Sequence, residues 1–181
     1  MGFALDASRN TGKENFVSAL KFAVNVSKYL NVNATNTWIF LAYENQNQVF
    51  KRRAPLDSLV PENEHFPNST ESLLGATLAN LAEKFSDESP QRDAIDVVVL
   101  IASQRSMDDI EPPIVMLKEY NATVFALGVG SNYSVGQLKE AASDPDSDYF
   151  ISLSSWNGVD EYFAKTLARK ICQGNYWALS H

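Results

Sequence analysis

The sequence predicts an α/β domain: a doubly wound, mostly parallel central sheet with one antiparallel edge strand and helices on both faces. Three observations predict it. Apolar segments with strand and helix spacing alternate along the whole of the 181 residues. The run Ile95-Asp96-Val97-Val98-Val99-Leu100-Ile101 is almost unbroken, as a parallel strand covered on both faces requires. Nearer the start, two short apolar runs flank the polar turn Glu44-Asn45-Gln46-Asn47, a hairpin pattern whose less hydrophobic outer strand belongs at an edge.

Taken in order, Phe3-Ala4-Leu5 reads as a short buried strand. From Lys13 to Leu30, Phe16, Val17, Leu20, Ala23, Val24 and Leu30 follow helical spacing. Trp38–Tyr43 and Gln48–Lys51 are the hairpin strands, and the proline-containing stretch from Leu56 to Thr70 is a surface connection. Leu73, Leu74, Thr77, Leu78, Leu81, Ala82 and Phe85 form a helical stripe, which ends where Ser86 to Asp93 breaks the pattern. The central strand Ile95–Ile101 follows. Then come a helix near Pro113–Tyr120, with Pro112 and Pro113 suited to its first turn, and a strand at Thr123–Val129. A helix at Val135–Ala142, a strand at Tyr149–Leu153 and a helix over Asp160–Cys172 complete the order, with Asn157 as the expected N-cap of the last helix. No repeat or linker divides the chain. Residues 1–173 are read as one domain and 174–181 as a tail or linker that carries two aromatics, Tyr176 and Trp177.

Composition narrows the function. Hydrophobic residues at 45% and charged residues at 20% are those of a chain that folds by packing. A formal charge of −7 opposes nucleic acid, which must be neutralised by lysine and arginine. No apolar run approaches the ~20 residues of a membrane helix. The opening Met-Gly-Phe-Ala-Leu-Asp lacks the basic flank and apolar stretch of a signal peptide, so an extracellular protein would be seen here in mature or partial form. Asn-X-Ser/Thr acceptors at Asn25, Asn33, Asn68, Asn121 and Asn132 point to a secreted glycoprotein, against the plainer reading of a polar surface with accidental matches. There is no nucleophile elbow, phosphate loop or dinucleotide fingerprint, and His65 and His181 have no metal-pair spacing. No enzyme is expected.

In such sheets ligands bind at the carboxyl ends of central strands, so the loops after Leu5 and Ile101 carry the candidate site. The first reads Asp6-Ala7-Ser8-Arg9-Asn10, with oxygen-bearing side chains at alternate positions. That spacing suits a hard divalent cation such as Mg²⁺; equally, Asp6 and Ser8 could cap the next helix or organise a turn.

At these residues the chain resembles a von Willebrand factor type A domain of the extracellular-matrix kind, most like the A-type domains of collagen VI and matrilin chains. The resemblance runs through Phe3–Asn10, the hairpin, Ser72-Leu73-Leu74-Gly75-Ala76-Thr77-Leu78, Val97–Ile110, Val124–Gly130 and the closing helix to Cys172. The family holds Mg²⁺ in an Asp-X-Ser-X-Ser loop completed by a Thr and a second Asp, with an acidic residue of the partner as a further ligand. The resemblance implies that Asp6 and Ser8 match, that Asn10 stands for the second Ser, and that Ser72, or alternatively Thr70, stands for the Thr. Ala102-Ser103-Gln104 replaces the usual Thr-Asp-Gly, so Ser103 stands where the second carboxylate should be. With one fixed carboxylate left, no cofactor is expected and Mg²⁺ would be held only weakly. Asp108 or Asp109 could substitute, or simply open the next helix.

The resemblance also implies that Cys172 forms a disulfide with a partner outside this chain; taken alone it is one thiol on the last helix. Lys51-Arg52-Arg53 is either an edge-protecting patch or a contact for a sulfated glycan. The expected function is a non-enzymatic interaction and assembly module of a secreted matrix protein. Its partners would be other matrix or cell-surface proteins, collagen among them, and neighbouring A-type domains of a longer chain. The alternatives are an integrin-like domain that grips an acidic protein ligand through Mg²⁺ and an intracellular A-type domain of a protein-handling complex.

Overall fold

Strand side chains point alternately to the two faces of a sheet, so a strand covered on both sides must be apolar at every position. The central strands of this protein meet that demand: Gly2–Leu5 and all but the last residue of Val97–Gln104 are buried. The computed structural model describes residues 1–30, 39–43, 46–50, 69–88 and 96–178. In chain order the elements are β1 (Gly2–Leu5), α1 (Lys13–Tyr29), β2 (Ile39–Tyr43), β3 (Gln46–Phe50), α2 (Leu74–Glu88) and β4 (Val97–Gln104). They continue with α3 (Glu111–Glu119), β5 (Thr123–Asn132), α4 (Val135–Ala141), α5 (Asp146–Tyr149), β6 (Phe150–Leu153) and α6 (Glu161–Ala178).

The sheet order is β3-β2-β1-β4-β5-β6. Five strands run parallel, and β3 pairs antiparallel with β2 from Ile39↔Phe50 to Tyr43↔Gln46. Two cores follow from the alternation of side chains. Phe3, Leu5, Val99, Ile101, Phe125 and Leu127 face α1 and α6, where Phe16, Phe22 and Leu167 meet them. Ala4, Val98, Leu100, Val124 and Ala126 face the other way, onto Leu78, Leu81 and Phe85 of α2, Leu117 of α3 and Leu138 of α4. β1 lies between β2 and β4, so the loops leaving β1 and β4 emerge side by side. Across the helices of the first face, the Tyr29 hydroxyl donates to Glu161 Oε1 at 2.6 Å, and this bond holds the phenol above its usual pKa of 10.0.

Several boundaries differ from the sequence reading. The last helix is capped by Asp160, whose Oδ1 accepts from Phe163 N at 2.8 Å; Asn157 sits in a preceding 3₁₀ turn, Trp156–Gly158. An N-cap must stand directly before the first helical residue, and α6 begins at Glu161. α6 also runs on to Ala178, β5 extends to Asn132, and the single turn α5 precedes β6. Outside the described residues lie Trp38, Asn33, His65, Asn68, the Lys51-Arg52-Arg53 cluster, most of the 56–70 connection and His181.

α3 ends in a Schellman motif. Asn121 adopts φ 55, Asn121 N donates to Lys118 O, and Ala122 N donates to Leu117 O. Asparagine tolerates this left-handed backbone, whereas a β-branched residue does not. Asn121→Val should therefore lower stability by about 1–2 kcal/mol while Asn121→Gly stays near neutral, as read by urea denaturation.

Candidate functional site

The first residue past β1, Asp6, is 3% exposed. Opposite it, the register of β4 against β5 shifts between Ala102 and Gln104. Such a bulge breaks the alternation of backbone donors and re-aims a side chain. Here two successive amides converge on one oxygen: Ser103 N and Gln104 N donate to Asp6 Oδ2 at 3.1 and 3.0 Å. The Ser103 hydroxyl donates to the same oxygen at 3.2 Å, and Ser8 N donates to Oδ1 at 3.1 Å. A carboxylate offers about two acceptor positions on each oxygen; here three donors share Oδ2 and one falls on Oδ1.

A line of hydroxyls leads into that carboxylate. Ser8 Oγ and Thr11 Oγ1 are 3.2 Å apart, and Thr11 Oγ1 and Ser103 Oγ are 2.7 Å apart. Each hydroxyl has one proton. With the Ser103 proton given to Asp6, Thr11 must donate to Ser103, and Ser8 must donate to Thr11. The relay therefore has one direction, Ser8 to Thr11 to Ser103 to Asp6, and all three hydroxyls are buried.

A second network adjoins it at the N-terminus of α2. The first amides of a helix lack intrahelical acceptors and carry partial positive charge. Leu74 N donates to Ser106 Oγ at 2.9 Å, Gly75 N to Asp108 Oδ1 at 2.9 Å and Ala76 N to Asp108 Oδ2 at 2.7 Å. Ser106 Oγ also donates to Asp108 Oδ1. The approach is close enough that a Cβ on Gly75 would collide with the Asp109 carbonyl oxygen. From α4, Gln137 clasps the same loop: Ser106 N donates to its Oε1, and its Nε2 donates to Ser106 O, both at 3.1 Å. Between its anchored neighbours Met107 is 65% exposed, while its own amide donates to Ser72 O at 2.9 Å.

Among the residues singled out from sequence, Asp6, Ser8 and Ser103 come together. Ser72 lies beside the Ser106–Met107 turn, 4% exposed, and its Oγ is buried without a hydrogen-bond partner. Asn10 is exposed, and Thr11 is the residue of that turn that joins Ser8 to Ser103. Thr70 is exposed. Asp108 is engaged at α2, and Asp109 Oδ1 accepts from Glu111 N at the start of α3. Of the residues that come together here, Asp6 alone brings a carboxylate; its Oδ2 accepts three donors and its Oδ1 one. No group of three or more His, Cys, Asp or Glu able to hold a metal occurs among the described residues.

Sequence reasoning missed Thr11, Ser106, Gln137 and the role of Asp108. Thr11 falls outside the alternate-position pattern, and the other three act across long chain separations. Of the glycosylation acceptors, Asn121 and Asn132 are exposed, whereas Asn25 is half-buried in α1 and the hydroxyl of its Ser27 is buried and donates to Ala23 O. Cys172 is exposed on α6.

The chain is 25% identical over 178 residues to the collagen alpha-1(XXI) chain of Homo sapiens, a match covering 94% of this chain and 18% of that one. It is 24% identical over 179 residues to matrilin-1 of Gallus gallus, covering 94% of this chain and 36% of that one. It therefore spans about a fifth to a third of these relatives. Its fold is similar to proximal thread matrix protein 1 of the mussel byssus, solved with a zinc-occupied MIDAS motif, at TM-score 0.71 and 16% identity over 92% of this chain and 45% of that one. The family model described as von Willebrand factor type A domain matches residues 1–165. Parallel sheet, paired strand-end loops and this match have one reading: the chain belongs to the von Willebrand factor type A domain family.

Proposed function

We propose that this domain is a non-enzymatic interaction and assembly module of a secreted matrix protein, making its contacts through protein surface instead of a shared metal ion. The observation that carries the metal-free part is the Asp6 carboxylate, which accepts four hydrogen bonds from Ser8, Ser103 and Gln104, with Ser103 bringing a donor hydroxyl and no second negative charge. Collagen and matrilin relatives support the matrix part. On this reading the partners are other matrix or cell-surface proteins, collagen included, and neighbouring A-type domains. Asn121 and Asn132 are the acceptors best placed for glycan, and Cys172 pairs with a cysteine outside this chain.

Met107 supports a contact at the strand-end face. It is a large apolar side chain held out by a loop fastened on both sides, so little ordering is left for binding to impose. Methionine is also enriched at interfaces.

The test is binding of the purified domain to immobilised collagen and to matrix extracts by biolayer interferometry. Affinity should be the same in EDTA and in Mg²⁺. Loss of binding in EDTA would favour the integrin-like alternative. Met107→Asp should weaken binding by about tenfold or more while shifting stability by less than about 0.5 kcal/mol, as checked by thermal unfolding of the same sample.

A further inference from the structure

We propose that an N-linked glycan on Asn132 gates the strand-end face: a chain occupied there has Met107 covered and its contact surface closed, and a chain without the glycan has that surface open. The proposal rests on the reading of Met107 as a contact residue and supplies its regulation.

Three observations combine. Asn132-Tyr133-Ser134 is an acceptor triplet that begins at the last residue of β5, and Asn132 is exposed. Its Oδ1 accepts from Ser131 Oγ at 3.4 Å, a bond that does not use the Nδ2 to which a sugar is joined.

The backbone also ties this residue to the loop that carries Met107. Asn132 pairs with Gln104 across the sheet, and its carbonyl accepts from Arg105 N at 2.9 Å. Met107 follows two residues after Arg105, within about 7 Å of chain. The loop is held in place, because Gln137 fastens Ser106 and Asp108 is bound to the amides of α2.

Finally, the apolar surface lies around the acceptor. Met107 is 65% exposed and Val135, the first residue of α4, is 48% exposed. Val135 directly follows Ser134 of the triplet, Met107 directly follows Ser106, and the Gln137–Ser106 bonds join the two segments. A bulky oligosaccharide rooted at Asn132 therefore overhangs both side chains, and a hydrated sugar there keeps a partner's apolar surface away.

The other exposed acceptor is out of range. Asn121-Ala122-Thr123 leads into the first residue of the same strand, whose ten residues extend about 30 Å from there to Asn132. A glycan on Asn121 stands at the opposite end of the sheet and leaves Met107 uncovered.

The experiment uses the chain secreted from mammalian cells, with occupancy at each acceptor read by peptide mass spectrometry. Cover is read in a Met107→Cys, Cys172→Ala background from the rate of labelling by a polyethylene glycol maleimide. The occupied chain should label more slowly than the same chain with Asn132→Gln, and molecules left unlabelled should be enriched in the Asn132 glycopeptide. Enzymatic removal of the glycans should bring the two rates together. Thr123→Val, which destroys the Asn121 acceptor and keeps a β-branched residue in β5, should leave the rate unchanged. With Met107 in place, Asn132→Gln should bind immobilised collagen about tenfold or more tightly than the occupied chain, since covering a central apolar contact removes what truncating it removes. An Asn132 found unmodified in the secreted chain overturns the proposal, and so do equal labelling rates with and without its glycan. Binding that depends on Met107 yet is the same in both forms overturns the gate alone. Absence of binding by either form, or binding unaffected by Met107→Asp, overturns the contact reading on which the gate rests, and the labelling rates then still report whether the glycan covers the loop.

Discussion

Asp6→Ala is expected to lower the unfolding free energy by about 3–5 kcal/mol, one of the two largest effects among polar substitutions in this domain. The side chain accepts from three backbone amides and one hydroxyl in a buried setting. Stranding a buried donor costs about 1–3 kcal/mol, and rehydration at the strand ends recovers part of the sum. Urea denaturation should show a lower midpoint with an unchanged slope, and the melting temperature should fall by roughly 10 °C for a domain of this size. Asp6→Asn should fall between: one oxygen remains to accept, but its amide group turns donors against donors. A loss below about 1 kcal/mol for Asp6→Ala would mean that these bonds are replaced by water without cost.

Asp108→Ala is expected to cost about 2–3 kcal/mol, through α2. Its carboxylate takes the amides of Gly75 and Ala76 and the hydroxyl of Ser106, so one residue caps the helix from another part of the chain. A negative charge at a helix N-terminus is favourable in itself, by up to about 2 kcal/mol when partly buried. The loss should spread beyond the first turn, because α2 carries Leu78, Leu81 and Phe85 into the second core. Hydrogen exchange should show early protection lost at the start of α2, with α1 and α6 unaffected. A double-mutant cycle with Ser106→Ala should give coupling of about 0.5–3 kcal/mol, since the two side chains share both a bond and a helix end.

The strand-helix alternation was legible because burial leaves a direct trace in composition. Ile95–Ile101 reads as a central strand because a strand with a helix layer on each face is apolar at nearly every position, and Asp6 with Ser8 reads as a site because strand-end loops are where a parallel sheet gathers polar groups. The N-cap of α6 was misplaced at Asn157 because a 3₁₀ turn intervenes, and turns of that kind leave little periodic signal. Ser103 was legible as a departure from the family pattern, but not as a donor.

Local order and periodicity in the sequence were enough to determine the layers and the central place of the first strand's loop, while the absence of a second carboxylate was implied by the family resemblance. Only the tertiary structure decided what Asp6 does with its charge. The bulge at Ser103, the inward turn of Thr11 and the reach of Asp108 across 32 and 33 positions to the amides of α2 are set by how distant segments pack. A hydrogen bond depends on the position and direction of both partners. A sequence specifies that pair only after the chain has folded around it.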